Sequence, residues 1–484
     1  MTDHAVIIAG GGPTGLMLGA ELKLQGVDAV IIEKRAEAVR IQPGALGLHA
    51  RTIEVFDQRG IADRFLAEGK PMQVLGFAGV RFDISAFPSR HPYGLSLIQR
   101  HSERIIRDWA EELSVTIVRG VEVTGFTDGA AGIDVSLSDG RTLRAQYLVG
   151  CDGGRSFVRK AAGIAFPGSD PTISHLLAEA ELSGEPAWGL VDDDTGRHAL
   201  SPVEGGKAGI LVTEREVGTA EPTLDLLREA MIAHYGTDYG VRNPTYITRF
   251  TDMTRQAEAY RKGRVLLAGD AAHIHYPAGG FGMNLGIQDA VNLGWKLAEV
   301  VKGNAPETLL DTYHAERHPV AAGLIRYPMA TVALSRRDDR TKALGTIVTD
   351  LVNMEEARTA IAGEMSGLAI RYDLGEGHPL LGRRMPDLEI ETSDGAVRVY
   401  ALMHRAQPLL ITVGKRKAVD LGDWSDRVRR IDARYKGPWA LPVIGAVPAP
   451  AAVLIRPDGH VAWVGEGTGE GLAEALAKWF GSPR

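Results

Sequence analysis

The chain has 484 residues, 44% of them hydrophobic and 24% charged, with 58 glycines scattered rather than gathered in one tract; this length exceeds what one hydrophobic core usually spans, so several folded units are expected. A formal net charge of -7 without a long basic run argues against nucleic acid or an anionic membrane surface as a partner. The single cysteine, Cys151, excludes an intramolecular disulfide framework, and no apolar stretch approaches the ~20 residues of a membrane span.

The N-terminal MTDHAVIIAGGG runs from a short apolar segment straight into glycines, without the positive region or cleavage site of a secretory signal, so a cytoplasmic location is expected. Residues 5–9 read as a buried strand, Leu16 to Leu24 as a helix and residues 29–32 as a second strand, which together make a β-α-β unit. A helix follows over 103–113, then strands over 116–123, 133–137 and 142–149. From 168 to 261 the pattern turns to β-rich patches broken by Gly, Pro and Asp, with a helix near 224–235, as in a separate antiparallel layer. A buried strand over 264–268 leads into glycines and a helix over 283–301, where Met283, Ile287, Ala290, Val291, Gly294, Leu297, Ala298 and Val301 define one core face and Gly303 a C-terminal stop. Helices continue to about 370, and Pro379 and Pro386 mark a boundary. A smaller module closes the chain, with a strand over 408–413, a hairpin over 452–464 turned by Pro457, Asp458 and Gly459, and a helix over 471–480. That ββα ending suits a thioredoxin-like unit.

Three stretches carry chemistry. In GGGPTG, Gly10, Gly12 and Gly15 have the G-x-G-x-x-G spacing that lets backbone N–H groups and a helix start approach a pyrophosphate, and Glu33 at the end of the second strand is placed to accept from a ribose diol. This motif alone does not separate NAD from FAD. The other two stretches are GCDGGRSFVRKAAG, with Asp152, Gly153, Arg155, Ser156 and Arg159, and GRVLLAGDAAHIHYPAGGFGMNLGIQDAVNLGWKLA, with Asp270, Gly279, Gly280 and Gly282. At a strand end Asp270 can accept from ribityl hydroxyls, and the glycines let backbone lie close to a planar ring.

These two stretches resemble the D-G and G-D motifs of class A flavoprotein monooxygenases of the p-hydroxybenzoate hydroxylase type. The likeness extends to RHPYGL, YHAERHP, EGHPLLGRRMPDL and LIRPDGHVAWVG, and is strongest to hydroxylases of aromatic polyketides of the angucycline and tetracycline type and to rifampicin monooxygenases. It implies an α/β protein with a Rossmann-type FAD-binding fold, an inserted antiparallel β-sheet substrate domain and a C-terminal thioredoxin-like domain. The expected division is an FAD-binding domain over 1–75, 97–168 and 262–335, a substrate-binding sheet domain over 76–96 and 169–261, a helical connection over 336–380, and the C-terminal domain over 381–484. Lacking cysteine, this last domain is excluded from thiol redox chemistry and is expected to serve packing or a homodimer. The cofactor-binding residues implied are Gly10, Gly12, Pro13, Thr14, Gly15, Glu33, Lys34, Arg40, Gln99, Asp152, Asp270, Pro277, Gly280, Gly282, Met283 and Asn284. Pro277, Gly279 and Gly280 are expected nearest the isoalloxazine, and the start of helix 283–301 is expected to stabilise negative charge on the reduced ring.

The activity implied is NAD(P)H-dependent hydroxylation of an aromatic, polycyclic polyketide-like phenol or quinone, with FAD bound, NADPH or NADH as transient co-substrate, and O2 activated as a flavin C4a-hydroperoxide. Alternatives are Baeyer–Villiger insertion, antibiotic inactivation of the rifamycin type, or a flavin dehydrogenase or flavin-binding protein that does not use oxygen. One departure from the family pattern is that Pro43, Gly44 and Ala45 stand where an arginine commonly precedes the segment matching Leu46 to His49, with Arg40 or Arg51 as substitutes. Another is Phe281, at a position where glutamine is frequent. Asp289 and Asn292 read as structural, His273 and His275 as ordering the flavin loop, Cys151 as a buried small residue, and His314 with His318 as packing rather than a metal pair. No metal is expected.

Overall fold

The computed structural model describes residues 2–39, 44–73, 75–130, 132–193, 196–414 and 421–483. Arg40 and Pro43 lie outside these.

Strand β1 (His4–Ala9), helix α1 (Pro13–Leu24) and strand β2 (Ala29–Glu33) form the expected β-α-β unit. Helix α2 (Gln99–Glu112) begins four residues earlier than its apolar spacing suggests, because Ile98 in an extended conformation stops the preceding loop and the polar QRHS segment winds as the first turn. The single strand expected over 116–123 is two strands. β3 (Thr116–Arg119) extends the parallel sheet beside β2, and β4 (Val123–Gly129) pairs with β5 (Gly132–Leu137) in a hairpin. Between them Gly120 takes φ +71, a left-handed conformation that ends the extended run. Strand β6 (Thr142–Gly150) returns beside β1 in parallel. The inner strands are apolar throughout (VIIA, AVII, YLVG), as parallel strands covered on both faces require.

The antiparallel layer is a five-stranded sheet of β7 (Ser174–Glu181), β8 (Gly189–Asp193), β9 (Gly196–Pro202), β10 (Ala208–Thr213) and β11 (Arg242–Thr251), in the order β8-β9-β10-β7-β11. Helix α3 (Leu224–Tyr235) packs on one face, where Leu176, Ala178, Ala180, Ile210 and Val212 bury against Leu227 and Met231. The chain then rejoins the first sheet through β12 (Val265–Leu267), parallel to β6.

Helix α4 (Phe281–Val301) was expected to bury one face, yet it is buried nearly all round. Leu293 and Leu297 belong to the core of the parallel sheet, whereas Trp295 on the opposite side belongs to a cluster with Leu410, Leu454, Trp479 and Phe480 of the C-terminal unit. A second folded unit covers the side that the sequence periodicity leaves polar. Helices α5 (Asp311–Leu324) and α6 (Asp339–Asn353) follow.

In the C-terminal unit β13 (Leu409–Val413) lies parallel to β14 (Arg429–Ala433) and antiparallel to β15 (Ala452–Ile455), which pairs with β16 (Val461–Gly465). The order β14-β13-β15-β16, closed by helix α7 (Leu472–Phe480), is that of a thioredoxin-like sheet. Its hairpin turn enters the first unit. Arg456 pairs with Glu316 of α5 and with Asp458, and Lys296 and Asn292 of α4 bind the same Glu316 carboxylate.

Candidate active site

The first glycine loop is shaped by contacts that tolerate no side chain. Gly10 has φ +105, and a Cβ there would stand 2.3 Å from the Cys151 carbonyl oxygen; a Cβ on Gly15 would stand 2.0 Å from the Gly10 carbonyl oxygen. Gly12 differs, since nothing lies within 4 Å of the Cβ position, and as the N-cap of α1 it offers no side-chain cap. The space beyond Gly12, at the start of α1, is therefore open, and an uncapped helix start facing open space is the geometry that holds an anion. Pro13, at the first helical position, has no N–H to satisfy. Glu33 is buried at the end of β2, accepting from the Gly11 N–H at 2.6 Å and from the Arg35 N–H at 2.8 Å. Burial alone would raise its pKa, but the Arg35 backbone and guanidinium hold it below the usual carboxylate range, so it is an ionised acceptor. Lys34 beside it is exposed.

At the second stretch the Asp152 carboxylate is engaged within the chain. It accepts from the Ser156 hydroxyl at 2.5 Å and from the Val158 N–H at 3.0 Å, which caps the short helix Phe157–Ala161. Arg159 donates to the Ala271 carbonyl at 2.8 Å and lies 3.6 Å over the Phe166 ring. This clamp fixes the second stretch against the third, with Asp152 directly beside Gly10.

Thr14 joins the first loop to the third. A Cβ on Gly269 would be 2.5 Å from the Thr14 Oγ1, and one on Gly286 would be 2.2 Å from it, so α1 begins against the loop and the first turns of α4. Asp270 is exposed and faces Gly282, while Gly279 (φ +84) and Gly280 (φ +69) bring the chain to the start of α4, again without a side-chain cap. Beneath this loop, Asp289 accepts from the Gly269 N–H and binds His273 at 2.7 Å and Arg317 at 2.7 Å, all three side chains being fully buried. His273 thus orders the loop and Asp289 is structural, as expected.

Sequence reasoning missed His49. Its Nε2–H donates to the Gly279 carbonyl at 2.8 Å, and burial pushes its pKa down to about 4, so the ring is neutral. The His49 N–H donates to Asn284 Oδ1 at 2.8 Å, and Asn284 Nδ2 donates to the carbonyls of Gly280 and Gly47. The Asn284 side chain therefore clips two loops together, and Met283 packs into the main core. Gln99 Oε1 accepts from the Ala45 N–H at 3.0 Å. Arg51 does not take the place of the absent arginine: it pairs with Glu54 and donates to the Gly367 and Leu368 carbonyls. Phe281 is buried edge-on to His49, ring centres 5.3 Å apart. Pro277 lies in the loop between His275 and Gly279.

The residues present fit a flavin dinucleotide. Two uncapped helix starts, α1 and α4, converge at the carboxyl ends of β1, β6 and β12, and His275 keeps a buried Nε2 without a partner next to Gly282 while its Nδ1–H donates to the Tyr276 carbonyl at 2.6 Å. His314 and His318 pack at tilted or edge-on angles against each other and against Tyr260. Among the described residues one group is spaced to hold an ion, Asp193, His198 and His234 behind the antiparallel sheet. There His198 Nδ1 accepts from the Thr213 N–H, so its proton sits on Nε2 facing Asp193, and His234 Nδ1 lies 2.7 Å from the other Asp193 oxygen.

Fold and site together define a dinucleotide-binding flavoprotein with an inserted sheet and an appended thioredoxin-like unit. Residues 3–327 match the FAD binding domain family and residues 378–483 the aromatic-ring hydroxylase C-terminal family. The chain is 44% identical to rifampicin monooxygenase of Streptomyces venezuelae over 99% of this chain and 98% of the relative, and 41% identical to 12-dehydrotetracycline 5-monooxygenase/anhydrotetracycline 6-monooxygenase of Streptomyces rimosus over 99% of each. Among solved structures it matches OxyS anhydrotetracycline hydroxylase from Streptomyces rimosus with TM-score 0.91 and 40% identity, covering 99% of this chain and 100% of that one. The chain belongs to the FAD-dependent aromatic-ring hydroxylases and is a monooxygenase that uses FAD, NAD(P)H and O2. No helix among the described residues is long and apolar enough to cross a membrane.

Proposed function

We propose that this enzyme hydroxylates a polycyclic, polyketide-like phenol or quinone lying between the third glycine loop and the antiparallel sheet. The observation that carries the reading is the convergence of the α1 and α4 starts with the glycine loop around residue 280, where Tyr276 meets His175 and Phe250 of the antiparallel sheet. FAD bound there supplies hydride acceptance from NAD(P)H and the activation of O2. The α1 start and the ionised Glu33 hold the pyrophosphate and ribose, and Asp270 takes ribityl hydroxyls. Gly279 and Gly280 let the ring system lie against backbone, while the α4 dipole favours negative charge on it. Neutral His49, tied to the Gly279 carbonyl, fixes that loop without adding a positive charge.

In this reading residues 76–96 and 169–261 bind the substrate, the FAD-binding segments are 1–75, 97–168 and 262–335, and 381–484 is a packing domain in a cytoplasmic enzyme without nucleic-acid partners. Leu344, Ile347, Leu351 and Met354, each at least half exposed on and after α6, form a stripe on which a second copy would sit in a homodimer; the molar mass in solution checks this. The similarity to rifampicin monooxygenase favours a second reading, inactivation of a rifamycin-type antibiotic. NADPH oxidation accelerated by tetracyclic phenols, by naphthoquinones or by rifampicin, with product mass determined for each, separates the two. Acceleration by none of them contradicts both.

A further inference from the structure

The face of the antiparallel sheet opposite α3 carries a hydrogen-bond chain whose direction can be deduced. Residues alternate along a strand, so while Leu176, Ala178, Ile210 and Val212 turn to α3, His175 and Thr213 turn the other way, with the His175 ring stacked on Phe250 at 4.9 Å. Tyr276, next to Pro277 of the glycine loop, meets them there, its hydroxyl 3.1 Å from His175 Nε2.

A hydroxyl has one proton to donate and two lone pairs to accept with, and Thr213 uses all three. Its oxygen accepts from the Arg197 N–H at 3.0 Å, and its proton has a carbonyl to go to, the Arg197 oxygen at 2.8 Å. The remaining contact, His175 Nδ1 at 3.0 Å, must therefore donate to Thr213. Burial pushes His175 down to about 4, so the neutral ring carries this one proton and its Nε2 is an acceptor. Among the described residues the Tyr276 hydroxyl is the group that fills that acceptor, and in doing so it spends its single proton. The chain ends on a carbonyl, which takes up no proton, so the arrangement can orient a ligand but not deprotonate one.

Building on the placement of the substrate argued above, we infer that Tyr276 is a positioning residue that presents only oxygen lone pairs to the substrate space, and so binds the aromatic substrate through a hydroxyl group of that substrate. A quinone carbonyl or an aryl ether in the same position gains nothing from it.

The test uses the FAD-loaded enzyme and a matched pair of ligands, 9-phenanthrol and 9-methoxyphenanthrene, with binding read from the perturbation of flavin absorbance. The wild type is expected to hold the phenol about tenfold more tightly than the ether, the worth of one net hydrogen bond. Tyr276→Phe should erase that preference and leave ether affinity unchanged, and Thr213→Val, which frees His175 to reverse its tautomer, should reduce the preference. Unchanged ether affinity and FAD content report that each variant is folded. Equal binding of both ligands by the wild type, or equal loss of both in Tyr276→Phe, overturns the assignment to Tyr276 while the flavin site stands. A colourless protein, or one whose flavin neither ligand perturbs, overturns the placement of the substrate and this assignment with it.

Discussion

Arg456, at the turn of the C-terminal hairpin, grips Glu316 of α5 through two hydrogen bonds of 2.6 and 2.8 Å, with both side chains buried. Lys296 lies 2.8 Å from the same carboxylate, and Asp458 balances the second positive charge, so two cations and two anions are sealed between the FAD-binding and C-terminal units. The appended unit is thereby fastened to helix α4, whose first turn follows the glycine loop around residue 280.

Breaking such a group on one side leaves a buried charge without its partner. Arg456→Ala is expected to lower stability by about 3–5 kcal/mol, measured by denaturant unfolding. A change within about 0.5 kcal/mol, as for an exposed pair, would mean that the hairpin does not hold the two units together.

Acid should loosen the same junction. Burial acting alone would raise the Glu316 pKa, but Arg456 and Lys296 outweigh it and hold the group at about 2, against an ordinary value of 4.5. The unfolded chain then takes up a proton over a range where the folded chain does not. The stabilisation is full above about 4.5 and is lost as pH falls toward 2, on the order of 3 kcal/mol in all. Glu316→Gln should flatten that part of the stability profile; a slope as steep as the wild type's would contradict the assignment.

The two kinds of glycine in the first loop should behave differently. Gly15→Ala places a Cβ 2.0 Å from the Gly10 carbonyl and should disturb the fold of α1 itself. Gly12 has φ -77 and open space beyond its Cβ, so Gly12→Ala should keep the apoprotein's stability within about 0.5 kcal/mol of wild type. It should nevertheless lower FAD affinity at least tenfold, because the methyl group enters the space where the pyrophosphate meets the α1 start. Thermal unfolding of apoprotein and FAD titration read the two effects separately. Undiminished FAD affinity in Gly12→Ala would place the nucleotide elsewhere.

The parallel strands and the glycine loops were legible in the sequence because their causes are local. A run such as VIIA is apolar at every position, and Gly10 and Gly15 stand where only glycine fits. The strand expected over 116–123 was misread because Gly120 marks a break that the apolar spacing hides. What could not be read depends on partners far along the chain. His175 meets Tyr276 101 residues later, and Glu316 meets Arg456 after 140. The second buried face of α4 could not be read because the unit that covers it, with Leu410, Leu454 and Trp479 against Trp295, is encoded more than a hundred residues further on. His49 carried only the signal of its place in the LGLH segment, and its bond to the Gly279 carbonyl shows in the folded chain alone.

The central claim is that the three glycine loops hold one flavin that delivers oxygen to an aromatic substrate. Turnover of an accepted phenol with NADPH under isotopically labelled dioxygen, followed by mass spectrometry, tests it most directly. The account predicts one labelled oxygen atom in the product. An unlabelled product, or NADPH consumed with only hydrogen peroxide formed for every phenol tried, would contradict it.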